Sequence, residues 1–220
     1  MDHNNSVSDQ YPYCLIRISS KQYIENLYYK GEIYMNTVDY YRKCNNNLQV
    51  GDRLEGPSYY YGPGQISLDL PNGVSIPVNI KSFETWFNQN INLYCLFGIT
   101  QYEVNEAQSM PNISLYPLKD FGDYMCIIRD PETFIKRISA KLEELGYHSY
   151  ICRRVEYVDK GYQGEITPYM KRDIYRHQHE IRFVVDNTVN EPLKFEIGSI
   201  EDISMIMPFD GNVNVQFKPL

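Results

Sequence analysis

Apolar and polar positions alternate along residues 13–19, placing Cys14, Ile16 and Ile18 on one side of a strand and Leu15, Arg17 and Ser19 on the other. The period then lengthens. Tyr23, Ile24, Leu27 and Tyr28 recur at helical spacing, Ser19 with Gln22 reads as a capping box, and Gly31 supplies a stop. Residues 32–36 return to a strand, so the chain opens as strand, short helix, strand.

From residue 51 to residue 80 the texture changes. Gly51, Gly56, Gly62, Gly64 and Gly73, with Pro57, Pro63, Pro71 and Pro77, punctuate a tyrosine-rich loop and a hairpin. In that hairpin Ile66, Leu68 and Leu70 alternate, Asn72-Gly73 turns, and Val74, Ile76, Val78 and Ile80 alternate back. This segment reads as an insertion, or a flap over a site. A short helix is expected around residues 83–87, holding the only tryptophan, Trp86.

Residues 92–100 and 124–128 read as buried strands. The clearest helix opens with Asp130 as cap and Pro131 at its first position, and carries Phe134, Ile135, Ile138, Leu142 and Leu145 before Gly146. Strands follow near residues 151–158, 180–185, 193–197, 203–207 and 213–217. Many strands with two or three helices predict an α+β fold with a mostly antiparallel, split sheet and a hairpin or flap insertion. Residues 11–220 are expected to form one domain, with the insertion at 51–80. The polar, aperiodic residues 1–10 are expected to be a disordered tail.

At 220 residues and 43% hydrophobic, the chain can bury a sizeable core. It has no run of about 18 apolar residues, so no membrane span is expected, and its polar start lacks the regions of a signal peptide. The five cysteines are odd in number and show no CxxC spacing, and three lie in apolar strand-like runs. That usage suits small core residues in a reducing cytoplasm. A net charge of −7 argues against broad binding to a nucleic-acid backbone. The 21 tyrosines suit amphipathic positions at the edge of a core, or stacking surfaces.

Candidate chemistry concentrates in two places. Arg176, His177, His179, Glu180 and Arg182 lead directly into Phe183-Val184-Val185, so side chains that are expensive to bury run into an apolar strand. Strand alternation puts Glu180, Arg182 and Val184 on one face, with Ile181, Phe183 and Val185 toward the core. Glu180 then either balances an arginine, Arg182 or Arg17, or does chemistry on a ribose hydroxyl, a base proton or a metal. His177-x-His179 with Glu180 or His148 is the one arrangement that invites a metal, and no matching cluster accompanies it. Arg17 is the second place: inside Leu15-Ile16-Arg17-Ile18 its planar guanidinium needs a carboxylate or a phosphate. No P-loop, GxGxxG or GxSxG motif occurs, and Gly62-Pro-Gly64 is too short to cradle a nucleotide.

Together these residues resemble the ADP-ribosyltransferase superfamily. Arg17 in Leu-Ile-Arg-Ile-Ser is similar to its first strand, Tyr28-Tyr29-Lys30-Gly31-Glu32-Ile33-Tyr34-Met35 to its second element, and Gln178-His179-Glu180 to its catalytic loop. The middle Ser-Thr-Ser strand of the arginine-modifying enzymes is not evident. Gly51-Asp52-Arg53-Leu54-Glu55-Gly56 and His179-Glu180-Ile181-Arg182-Phe183 also resemble an uncharacterised bacterial and phage family found among abortive-infection genes.

The resemblance implies an NAD-dependent ADP-ribosyltransferase or NAD glycohydrolase, a toxin or effector in conflict between bacteria and phage. Arg17 would bind the NAD phosphates, and Tyr34 or a tyrosine of the 59–61 cluster, such as Tyr60, would stack on nicotinamide. Glu180 would hold the ribose hydroxyl and stabilise the oxocarbenium-like state, while Gln178 would orient an acceptor other than arginine, a protein side chain or a nucleobase. Two other readings remain open: a non-catalytic binding module that recognises a protein or nucleotide ligand, and a metal-dependent nuclease built on His177, His179 and Glu180.

Overall fold

A computed structural model describes residues 11–44, 55–56, 58–86, 90–106 and 112–216. The expected tail at 1–10 and the segment Gly51-Asp52-Arg53-Leu54 lie outside the described residues. In chain order the elements are β1 (Pro12–Ser19), α1 (Lys21–Lys30), β2 (Glu32–Thr37), α2 (Val38–Lys43), β3 (Ser58–Tyr61), β4 (Gly64–Asp69), β5 (Ser75–Ile80), β6 (Phe83–Trp86) and β7 (Ile91–Thr100). There follow α3 (Gln101–Glu106), β8 (Asn112–Ser114), β9 (Tyr124–Ile128), α4 (Pro131–Glu144), β10 (Tyr150–Arg154), β11 (Glu156–Val158), β12 (Gly164–Ile166) and β13 (Met170–Arg172). The chain closes with β14 (Glu180–Asp186), β15 (Leu193–Glu196), β16 (Ser204–Pro208) and β17 (Asn214–Gln216). The fold is α+β and mostly antiparallel.

The main sheet runs β10-β14-β7-β1-β9-β16, with β2 also paired to β7 and β15 paired to β2. One edge of β7 is shared by two strands. β1 takes Phe97, Gly98, Ile99 and Thr100, whereas β2 takes Asn92 and Leu93. Between them Tyr94, Cys95 and Leu96 pair only with β14, on the opposite edge. Here the sheet splits.

Each face of the sheet is covered. On one side Ile24 and Leu27 of α1 and Phe134, Ile138 and Leu142 of α4 pack with Leu15, Leu96, Ile181 and Phe183. On the other, Leu115, Leu118 and Phe209 cover Ile16, Ile18, Phe97 and Ile99. The two sides of β1 therefore follow the alternation of its sequence. α4 begins where its cap residues demand: the Asp130 carboxylate accepts from the Thr133 N–H at 3.0 Å, and Pro131 stands at the first turn. α1 ends at Gly31, whose φ of 63° is left-handed.

Several expectations are corrected. The N-cap of α1 is Ser20, not Ser19, and its side chain makes no capping hydrogen bond. Residues 83–86 form a strand rather than a helix, because Phe83 to Trp86 pair along β3. The Tyr61 and Phe83 rings lie 6.3 Å apart across that pair, and a helix of so few residues has no nucleus to sustain it. The strand expected over 151–158 is two, parted at Val155: β10 pairs with β14 and β11 with β13. β14 lies between β10 and β7 and is buried on both faces from Glu180 to Val185, Arg182 included.

The hairpin lies where the alternation puts it. β4 and β5 form a two-stranded sheet of their own, with Ile66 opposite Val78 and Leu68 opposite Ile76. Its apolar residues share one face, and Ile66, Leu68 and Ile76 are exposed. β3, β6 and β12 make a separate three-stranded sheet.

Candidate functional site

The split exposes a stretch of β7 backbone on the edge where neither β1 nor β2 follows it. Arg17, one residue past the last position of β1 that pairs with β7, turns into the opening, where its Nη1 donates to the Cys95 carbonyl at 2.5 Å. A backbone acceptor that has lost its ladder partner is thereby satisfied. The guanidinium also lies 5.1 Å from the centre of the Tyr94 ring.

A cavity of about 580 Å³ occupies the opening, within the usual range for small-molecule sites. Arg17 lines it with Tyr34, Tyr94, Lys171, Gln178 and Glu180, as do Tyr23, Tyr40 and Tyr41, and Glu55, Arg182 and Lys194 also contribute to its wall. Residues from both sides of the split thus share one space.

The wall beneath the cavity is a network of buried charges. Arg182 makes a fork on Glu55, Nη1 to Oε1 at 2.5 Å and Nη2 to Oε2 at 2.9 Å, while its Nε donates to Glu180 Oε1 at 2.6 Å. Its Nη1 also donates to the Pro168 carbonyl. Lys171 Nζ donates to Glu180 Oε2 at 2.9 Å and to Gln178 Oε1 at 2.7 Å. The Glu180 N–H donates to the Tyr157 hydroxyl at 2.9 Å, and β11 and β13 bring Tyr157 and Lys171 into register. Two cations thus face two carboxylates, all four almost fully buried and each paired, the condition under which buried charge is tolerated.

Burial by itself raises the pKa of Glu180, but Arg182 and Lys171 outweigh it and hold the carboxyl well below the usual range. Burial lowers that of Lys171, and the Glu180 charge more than restores it, so the ammonium keeps its proton. Burial pushes the Cys95 thiol up, with the Glu180 charge adding to the effect. The Tyr94 hydroxyl is raised by burial to about 12.

Each carboxylate oxygen of Glu180 carries two acceptor directions; the two cations use one apiece and the Cys95 thiol takes a third, which leaves one. The residue can therefore still accept from a hydroxyl in the cavity. The other carboxylates of the wall are similarly matched, Glu55 to Arg182 and Glu32 to Lys194. Among the described residues Arg17 is in no ion pair, so it is the cavity's unmatched positive charge.

The residues singled out in the sequence divide accordingly. Arg17, Tyr34, Gln178 and Glu180 line one cavity, whereas Tyr60 does not. It lies on β3, its ring 4.6 Å from the Arg172 guanidinium carbon. The two histidines diverge: His177 Nδ1 bonds the Ile174 carbonyl, and His179 Nδ1 lies 3.3 Å from Glu103 Oε1. Among the described residues no group of three or more His, Cys, Asp and Glu side chains is arranged to hold a metal ion. Lys171 and Tyr157 carry no sequence signal of comparable strength, and Glu55 carries only its place in the Gly51–Gly56 segment, which does not join it to Arg182.

Comparison with family models, with curated proteins and with solved structures returns no significant match. Among the described residues no helix is long and apolar enough to cross a membrane. The site must be interpreted from its own geometry.

Proposed function

We propose that the chain is an NAD-consuming enzyme, an ADP-ribosyltransferase or NAD glycohydrolase, with its active site in the cavity at the sheet split. The observation that carries this reading is the placement of Arg17 and Glu180 in one cavity, the first with no carboxylate partner among the described residues and the second ionised with acceptor capacity to spare. An unmatched guanidinium suits a pyrophosphate. The tyrosines of the wall suit the flat rings at either end of a dinucleotide.

In this mechanism Glu180 accepts a hydrogen bond from a hydroxyl of the nicotinamide ribose. The bond between ribose C1′ and the nicotinamide nitrogen breaks, and its electron pair leaves with nicotinamide. Positive charge then develops on the ribose, where the preplaced carboxylate stabilises it without reorganisation. Water or an acceptor nucleophile captures C1′ and releases one proton, giving ADP-ribose or the modified acceptor. Gln178, held by Lys171, borders the position from which the acceptor would approach.

The test is nicotinamide release from NAD by the purified chain, with and without cell lysate, for wild type, Arg17→Ala and Glu180→Gln. Release that falls at least about tenfold in both variants, each shown folded by circular dichroism, is the expected outcome. Release that persists in folded Glu180→Gln would sink the mechanism. The role in conflict between bacteria and phage belongs to the same reading; it predicts that expression arrests growth in wild type but not in Glu180→Gln.

One observation favours a second reading, a non-catalytic binding module. Both oxygens of Glu180 already answer buried cations, as they would if the residue only completed the wall. Under that reading calorimetry detects NAD or ADP-ribose in the cavity, Arg17→Ala weakens it, and no nicotinamide is released under either condition.

A further inference from the structure

Between Gln178 and Glu180 stands His179, with φ 40° and ψ 53°, the only residue other than glycine with positive φ among those described. L side chains rarely adopt this conformation because of the contact between Cβ and the carbonyl oxygen, so the surroundings must hold it. The His179 N–H donates to the Arg176 carbonyl at 3.1 Å, and the Gly98 N–H donates to the His179 carbonyl at 2.8 Å. Its ring meets Phe97 edge-on at 5.4 Å, and its Nδ1 faces Glu103.

Glu103 is a fixed post. It is 2% exposed; its Oε2 accepts from the Thr100 N–H at 2.9 Å and the Thr100 hydroxyl at 2.5 Å, and its Oε1 accepts from Arg154 Nε at 3.0 Å. The ends of β7 and β10 and the loop before β14 are thus tied to one carboxylate. Neither His179 nor Glu103 lines the cavity. Both residues flanking His179 do, and both reach the same ammonium on Lys171. The left-handed residue turns the chain between the end of the 3₁₀ helix Asp173–Gln178 and the start of β14, and the side chains on either side of it, Gln178 and Glu180, meet on one ammonium.

We propose that His179 is a positioning residue: its left-handed backbone, pinned through the imidazole to Glu103, sets Gln178 and Glu180 together on Lys171 at the cavity wall. The kinetic consequence rests on the NAD-cleaving reading; the conformational one does not. Losing one such tether, about 1.4 kcal/mol, corresponds to a tenfold change in an equilibrium.

The experiment compares His179→Gly, which keeps the backbone conformation accessible but removes the pin, with His179→Val, which opposes the conformation itself, and with Glu103→Gln, which weakens the post. Amide hydrogen exchange at Gly98 and Glu180 is expected to quicken about tenfold in His179→Gly while the thermal midpoint moves by only a few degrees. Where nicotinamide release is measurable, kcat falls about tenfold with KM unchanged, and His179→Asn, which tolerates the left-handed region and keeps an N–H donor, recovers most of it. Exchange and kcat both at wild-type values in folded His179→Gly would overturn the proposal, as would a loss confined to KM. Should His179→Val fail to fold, His179→Gly and Glu103→Gln decide. Absence of release from the wild-type chain would remove the NAD reading, and the exchange measurement would still judge His179.

Discussion

The four buried charges beneath the cavity make a prediction that a simple count of contacts would miss. Lys171 and Arg182 balance Glu55 and Glu180, so the group is neutral, and every member is almost fully buried. Arg182→Met leaves two carboxylates facing one ammonium; Glu55→Leu leaves two cations facing one carboxylate. Removing one partner of a buried pair typically costs about 3–5 kcal/mol. At roughly 2–4 °C per kcal/mol for a chain of this size, each single variant should melt about 6–20 °C lower. The double variant removes one charge of each sign and keeps Lys171 with Glu180. It should therefore lose less than the sum of the two singles, by about 3 kcal/mol or more. Urea unfolding followed by circular dichroism measures all four proteins, with m-values checked for constancy. Additivity within about 0.5 kcal/mol would refute the argument, since the two residues would then contribute as independent contacts rather than as a charge-balanced set.

Three further outcomes are expected. Glu103, although raised by burial, is held at about 2 by His179, Arg154 and Thr100, below the ordinary glutamate value of about 4.5. Because the folded pKa is the lower, its contribution is present above pH about 4.5 and is lost as the pH falls toward 2. It amounts to roughly 3 kcal/mol, and Glu103→Gln should flatten the acid limb of a stability profile; an unchanged limb would count against the cluster. Gly31→Ala would put a Cβ 2.1 Å from the Gly198 carbonyl oxygen in a left-handed conformation, so a loss of at least about 2 kcal/mol is expected by chemical denaturation. Arg17→Lys should weaken ADP-ribose binding less than Arg17→Ala does in titration calorimetry, because a point charge replaces part of the fork; equal affinities for all three proteins would remove Arg17 from the phosphate site.

Local rules account for the parts of the fold that were legible in the sequence. The turn from β1 through α1 to β2 is written in alternation, a helical stripe and Gly31, and α4 in Asp130, Pro131 and its apolar spacing. Glu180 with Arg182 was readable as a pair because the two stand side by side on one strand. Lys171, Tyr157 and Glu55 reach the same network from β13, β11 and the segment before β3, and no local pattern records a contact across so many residues. The same reason hid Glu103, which lies 76 residues from His179. β6 was misread because an aromatic-rich tetrapeptide suits either a strand or a helical turn, and only the neighbouring β3 decides between them.

The split on β7 has a consequence for how this protein can change. Its cavity exists because two strands abandon a third, and so it is made by main chain. Substituting the residues around it alters the chemistry of the opening, yet leaves the opening in place. If the proposed chemistry holds, a lineage could lose Glu180 and keep a receptor, or regain a carboxylate and recover an enzyme, without redrawing the sheet. Only something that supplies a new rung beside Tyr94, Cys95 and Leu96 could seal it.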